Sequence, residues 1–144
     1  MVVVMSKKII LVLNGVTYFI SHRLPIAVEL KRQGYEVHII CPDAKPADFD
    51  QYGFTYHQVE MSRKGMNPLA ELMVIAKLYR LFKHIKPDLV HLVTIKPYLY
   101  GGIAARLANV LGVVSAVAGL GIVFSQINLK TKLLRAVLYP LFKL

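Results

Sequence analysis

Four short apolar runs recur along the chain, each bounded by polar or turn-forming residues: Lys8–Asn14 (KIILVLN), Glu36–Cys41 (EVHIIC), Asp88–Thr94 (DLVHLVT) and Val113–Gly119 (VVSAVAG). Runs this short and rich in β-branched residues predict strands covered on both faces. Phe54–Glu60 alternates less cleanly and reads as an edge strand. Helical spacing fills the intervals. Ser21–Gln33 places Leu24, Ala27, Val28 and Leu30 on one side, with Gly34 as its stop. Asn67 and Pro68 suit an N-cap and a first helical position, opening a helix to about Lys86. Leu69, Leu72, Met73, Ala76, Tyr79 and Phe82 are its expected buried stripe. Pro97 opens another helix through Leu111, ended by Gly112, and a basic helix is expected from about Leu129 to Phe142.

Strands alternating with helices imply βαβ units and a parallel sheet. Right-handed crossovers then favour a single doubly wound, Rossmann-like α/β domain of strand order 3-2-1-4-5. No linker or composition shift divides the chain, so residues 1–144 are read as one domain.

Composition narrows the class. Hydrophobic residues make up 56%, enough for a sizeable core and too many for disorder. Cys41 is the single cysteine, which excludes an internal disulfide framework and fits a reducing compartment. The net charge is +10, and the last carboxylate is Asp88. Beyond it stand Lys96, Arg106, Lys130, Lys132, Arg135 and Lys143. Such a basic surface suits anionic partners. Met1–Met5 is too short for a signal-peptide core, and Lys7 and Lys8 follow it rather than precede it. Val110–Phe124 is too short to span a bilayer and holds three glycines. The expectation is a cytoplasmic protein that touches a membrane without crossing it, at the inner face of the plasma membrane.

In a sheet of this order ligands bind beyond the carboxyl ends of the strands, where the winding reverses, between strands 1 and 4. Two loops meet there: Asn14 to Arg23, and Thr94 to Pro97. The first lacks both the G-x-G-x-x-G fingerprint and a Walker loop, so a dinucleotide has no support. Gly15 either admits a ligand close to the backbone or is an ordinary turn glycine. His22 and Arg23, read as lying near a helix start, either meet a phosphate with free backbone N–H groups or face water. Lys96 has the same two readings, and so has Arg63 in the Arg63–Asn67 segment. Gly119 and Gly121 flank a tight turn after the fifth strand, with Ser125 and Gln126 as polar lining beyond it. His38 and His91 fall inside strands and read as core or surface histidines. No spacing resembles a metal site, a Ser/His/Asp set or a carboxylate pair. Asp88 sits at the amino end of its strand, the wrong end for catalysis in this fold. The final helix combines Leu133, Leu134, Val137, Leu138, Leu141 and Phe142 with Lys130, Lys132, Arg135 and Lys143. That pattern suits either a membrane surface or packing within the protein.

Taken in order, His22-Arg23-Leu24-Pro25-Ile26, Ser62-Arg63, Asn67-Pro68, Lys96-Pro97, Gly101, Ala104-Ala105 and Gly119-Leu120-Gly121 span almost the whole chain. In them the chain resembles the N-terminal domain of family-four glycosyltransferases of GT-B fold. The nearest likeness is to bacterial enzymes that extend lipid-linked or surface oligosaccharides. The resemblance implies two α/β domains facing across a cleft, the N-terminal one holding the acceptor. It implies transfer with retention of configuration, from a nucleotide-sugar co-substrate (a UDP-sugar), with no metal and no tightly bound cofactor. Asn14, Gly15, His22, Arg23, Arg63, Lys96, Gly119 and Gly121 are the substrate-binding candidates. Many relatives carry a histidine near the turn after strand 5. Here that stretch is Val117-Ala118-Gly119, so no catalytic residue is assigned. The sugar-nucleotide domain of such enzymes has no counterpart in these 144 residues, so the chain alone is expected to be inactive. The expected partners are a lipid-linked or oligosaccharide acceptor, an anionic membrane surface, and a second domain or chain. The alternative is a non-catalytic, membrane-recruiting subunit of a split enzyme. Nucleic acid is not an expected partner, because no recognition module or aromatic stacking platform is present.

Overall fold

The computed structural model describes residues 5–61, 67–117 and Ala136. Five parallel strands form one sheet: β1 (Lys8–Val12), β2 (Glu36–Cys41), β3 (Thr55–Gln58), β4 (Leu89–Val93) and β5 (Gly112–Ala116). Their order is β3-β2-β1-β4-β5, the doubly wound α/β arrangement that the alternating pattern predicts. In register, Ile10 pairs with His38 and Val90, and Leu11 with Ile39 and His91. Side chains alternate across a strand, so each register row belongs to one face.

Helices cover both faces. One face carries Ile10, Val12, Ile40, Val90 and Leu92 against α3 (Pro68–Ile85) and α4 (Ile95–Leu107). The other carries Leu11, Leu13, Val37, Ile39 and Cys41 against Phe19, Ala27 and Phe49. Phe19 and Phe49 meet edge to face with centroids 5.5 Å apart. They come from the helical segment after β1 and from a 3-10 helix, Ala47–Tyr52. Cys41 is fully buried at the end of β2, a small apolar side chain in the core. A Cβ on Gly101 would stand 2.4 Å from Leu92 Cδ2, so glycine lets α4 lie close on β4.

Three local expectations are corrected. First, helix does not begin at Ser21. It begins as α1 (Val16–Tyr18), widens into a π-turn (Phe19–Arg23), and continues as α2 (Leu24–Arg32). Leu24 N–H donates to Phe19 O, one residue further back than in an α-helix. Pro25 supplies the reason: it has no N–H to give to Ser21 O, and its ring crowds that carbonyl. Second, the buried side of α3 is Val74, Leu78, Phe82 and Ile85. Leu69, Leu72 and Met73 are 68%, 63% and 55% exposed. The helix has apolar residues on both sides, so period alone does not choose between them. Third, α4 runs Ile95–Leu107 and ends at Ala108 and Asn109. Gly112 is therefore no helix stop. It opens β5, where an added Cβ would meet Asp88 O at 2.6 Å.

Candidate functional site

Val12 of β1 pairs with Leu92 of β4, so the loops that leave these strands are neighbours at the point where the winding reverses. Asn14 is half-buried and Gly15 buried. Gly15 has extended backbone and sits at the N-cap of α1, with no side-chain acceptor of its own. The cap comes instead from the loop after β2, where Asp43 Oδ2 accepts from Val16 N–H at 2.7 Å. Asp43 is held in turn by its own carbonyl, which accepts from Tyr56 Oη at 2.7 Å. A carboxylate thus already occupies the positive end of the helix. Nothing local in the sequence marks Asp43, because the cap reaches across from another strand.

His22 and Arg23 are correspondingly not at a helix start. They close the π-turn, in the interior of the 16–32 helical segment. The His22 ring stacks on Tyr18 at 4.3 Å and 10°, and its Nδ1 lies 2.6 Å from Ser21 Oγ. Asn14, Gly15, Thr17, Tyr18 and Ser21 line a shallow pocket of about 330 Å³. Arg23 turns the other way, toward β4. Its Nη1 donates to His22 O at 3.2 Å, while its Nε is buried without a partner among the described residues. Burial and then the nearby Arg23 charge push the His91 pKa down, against the hydrogen bond that its Nδ1 donates to the Val114 carbonyl, which raises it.

On the β4 side the residue that stands out is Thr94. Its φ of 73° and ψ of 171° lie in a region that is essentially glycine's. Its N–H donates to Ala116 O at 3.1 Å, and its Oγ1 is buried with no partner among the described residues. A strained, β-branched residue with a spare hydroxyl at the switch point is a site signal that sequence gives no means of seeing. Lys96, in the first turn of α4, lies with its Nζ 3.4 Å from Glu71 Oε1 of α3. Burial, with Glu71 beside it, raises the Tyr100 pKa. Lys96, Glu71 and Tyr100 therefore form a polar link between α3 and α4. Pro42, Glu60, Met61, Ala70, Glu71 and Val74 enclose a second concavity of about 400 Å³ near the N-terminal end of α3. The larger hollow of about 460 Å³ lies between α4 and β5, with Leu111 and Val113 on its rim. It is away from the loops of β1 and is not the candidate site.

Arg63, Gly119 and Gly121, with Ser125 and Gln126 and all of the expected helix 129–142 except Ala136, lie outside the described residues. Asp88, at the amino end of β4, accepts from Lys8 N–H at 2.8 Å and ties two strand starts together. Among the described residues no group of three His, Cys, Asp or Glu side chains could hold a metal ion. Among them, too, no helix is long and apolar enough to cross a membrane.

A five-stranded parallel doubly wound sheet with helices on both faces defines a Rossmann-like α/β domain. Residues 8–144 match the family described as Glycosyl transferase 4-like, and the chain belongs to that family. It is 29% identical over 135 residues to the N,N'-diacetylbacillosaminyl-diphospho-undecaprenol alpha-1,3-N-acetylgalactosaminyltransferase of Campylobacter jejuni subsp. jejuni serotype O:2. That match covers 88% of this chain and 36% of the relative. Among solved structures, a glycosyltransferase of Rickettsia africae superposes with a TM-score of 0.61 at 20% identity, over 76% of this chain and 29% of that one. MurG of Acinetobacter baumannii gives 0.59 at 24%, over 76% and 33%. The chain thus spans about a third of the length of these three relatives.

Proposed function

We propose that these residues form the acceptor side of a sugar-transfer cleft. In this reading a second α/β domain, in the same polypeptide or another, presents a nucleotide-sugar, and a UDP-sugar is the donor. The acceptor is a lipid-linked or surface oligosaccharide, and transfer retains anomeric configuration. The work is done in the cytoplasm, at the inner face of the plasma membrane. The observation that carries the reading is the switch point, where the loop of Asn14 and Gly15 leaves β1 beside β4 and the residue after β4, Thr94, is strained with a buried hydroxyl that lacks a partner among the described residues. A hydroxyl-rich acceptor supplies the hydrogen bond that Thr94 Oγ1 lacks. The diphospho-undecaprenol-linked sugar named for the Campylobacter jejuni relative supports the acceptor class.

The test is binding in detergent solution to a polyprenyl-diphosphate-linked oligosaccharide and, separately, to UDP-sugars. The expected result is saturable acceptor binding, weak UDP-sugar binding and no transfer by this chain alone. Asn14→Ala and Thr94→Gly each lower acceptor affinity by about tenfold, the scale of one lost hydrogen bond in a desolvated site. Tight UDP-sugar binding with no acceptor binding overturns the assignment.

A further inference from the structure

Lys31, Lys45, Lys77, Lys83 and Lys86 stand in solvent, but the side chain of Lys96 is only 24% exposed. Lys96 sits in the first turn of α4, two residues after Thr94 at the carboxyl end of β4. Its Nζ lies 3.4 Å from Glu71 Oε1, and the Glu71 side chain is only 18% exposed. Glu71 stands in the first turn of α3 and is the one acid of that helix. In a parallel sheet the crossover helices run back against the strands, so both first turns lie at the carboxyl rim that bears the switch point. Tyr100, one turn beyond Lys96 on the same side of α4, shares the carboxylate. Burial and then its hydrogen bond to Glu71 raise the Tyr100 pKa. The pair is not what brings the helices together. Val74 and Leu78 of α3 and Ala104 and Ala105 of α4 already belong to one apolar core.

We infer that Glu71 is a positioning residue for acceptor binding, holding Lys96 Nζ where it donates to an oxygen of the bound acceptor. The inference rests on the proposed function, because it needs an acceptor at the switch point. Three observations carry it. An ion pair this far out of water is screened less than a surface pair, so it can fix a side chain. A lysine stem is long and flexible, and ordering it beforehand lowers the entropy lost when a ligand binds. The carboxylate also keeps a partner when the lysine leans toward a ligand. An ammonium has three donors and Glu71 accepts one of them, while the same carboxylate has room for the Tyr100 hydroxyl. Finally, Glu71 lines the concavity of about 400 Å³ with Pro42, Glu60 and Met61, so the pair borders open space rather than the sealed core.

The experiment is a double-mutant cycle on the full chain, read as affinity for a polyprenyl-diphosphate-linked oligosaccharide in detergent. Lys96→Met lowers affinity by at least about tenfold, as losing a charged hydrogen bond to a ligand does. Glu71→Gln keeps the size of the side chain but not its charge, and lowers affinity by about fivefold. In the Lys96→Met background Glu71→Gln changes affinity by less than about twofold, because nothing is left for it to position. Should Glu71→Gln unfold in thermal melts, Glu71→Asp, with the same charge on a shorter stem, gives the same direction and the same dependence on Lys96 with a smaller drop. An equal drop with and without Lys96 makes Glu71 a structural residue and overturns the inference. Unchanged affinity in Glu71→Gln overturns it too, and so does a rise, which would mean that Glu71 competes with the acceptor for Lys96. Acceptor binding by the wild type with an additive cycle sinks this inference alone. Absence of wild-type binding sinks it together with the proposed function.

Discussion

Thr94 carries an energetic cost that its neighbours must offset. Holding a β-branched residue in a glycine-like region costs of order 1–3 kcal/mol, and a buried hydroxyl without a partner adds to this. Thr94→Gly relieves both, less about 0.5–1 kcal/mol for the freer unfolded chain. The expected outcome is a more stable protein by about 1 kcal/mol that binds acceptor less well, read by thermal melts and titration side by side. Thr94→Ala removes only the hydroxyl, so it melts below the glycine variant. If the alanine variant equals or exceeds it, backbone strain at this position is refuted. Asp43 makes the opposite prediction. Its carboxylate accepts from Val16 N–H, and Asp43→Ala costs about 1 kcal/mol, as losing an N-cap usually does. A urea midpoint that does not fall would show the cap to be dispensable. Neither residue announces itself in the sequence. The N-cap position before Val16 is a glycine, and a cap lent by a distant loop leaves no local signature. A positive φ is likewise a product of tertiary constraint.

Between neighbouring elements, legibility depends on how one-sided the local pattern is. β1 and β2 are continuous apolar runs and appear within two residues of their expected bounds. Asn67 caps α3 as its identity suggests, its Oδ1 accepting from Leu69 N–H at 3.1 Å. The face of α3 was not legible, because apolar residues at 69, 72 and 73 compete with those at 74, 78 and 85. The sheet takes the second set and leaves the first to solvent. The π-turn was hidden for a related reason. Ser21 reads as the helix start, yet the chain is already helical from Val16, and the ladder widens ahead of Pro25. Gly101 shows the pattern from the packing side. Alanine gains about 1 kcal/mol of helix propensity over glycine, yet its Cβ would strike fully buried Leu92. Overpacking costs typically 1–3 kcal/mol. Gly101→Ala is therefore expected to lower stability by about 1 kcal/mol net, and a Gly101→Ala/Leu92→Val double variant to recover part of it. A Gly101→Ala protein with a raised melting point would mean that α4 shifts away from β4 freely.

The strand order of the whole sheet was legible because crossover handedness leaves few alternatives. Its titration behaviour was not, since that depends on which side chains the register brings together. Register places His38 of β2 beside His57 of β3, with His38 Nδ1 3.0 Å from His57 Nε2 and His38 Nε2 2.8 Å from Glu36 Oε1. A carboxylate only accepts, so His38 Nε2 carries a proton toward Glu36, and in the neutral pair His57 Nε2–H donates to His38 Nδ1. Burial, then the neighbouring His38 and His84, pushes the His57 pKa down. Burial is also the leading cause of the lowered pKa of His91 on β4. A histidine with a folded pKa below its unfolded value of about 6.5 takes up its proton more readily when unfolded. The stability it contributes is present above about pH 6.5 and is lost as pH falls below that value toward the folded pKa. The best-shifted carboxylate lies outside this window. Glu29, bonded to Arg32, is held at about 2, so its own contribution is lost only in much stronger acid. The expected outcome is a urea midpoint that falls between about pH 7.5 and about pH 5.5, with most of the fall abolished in His57→Gln/His91→Gln. A wild-type midpoint that holds or rises over that interval would sink the argument. A fall that persists undiminished in the double variant would move the titration to groups other than these two.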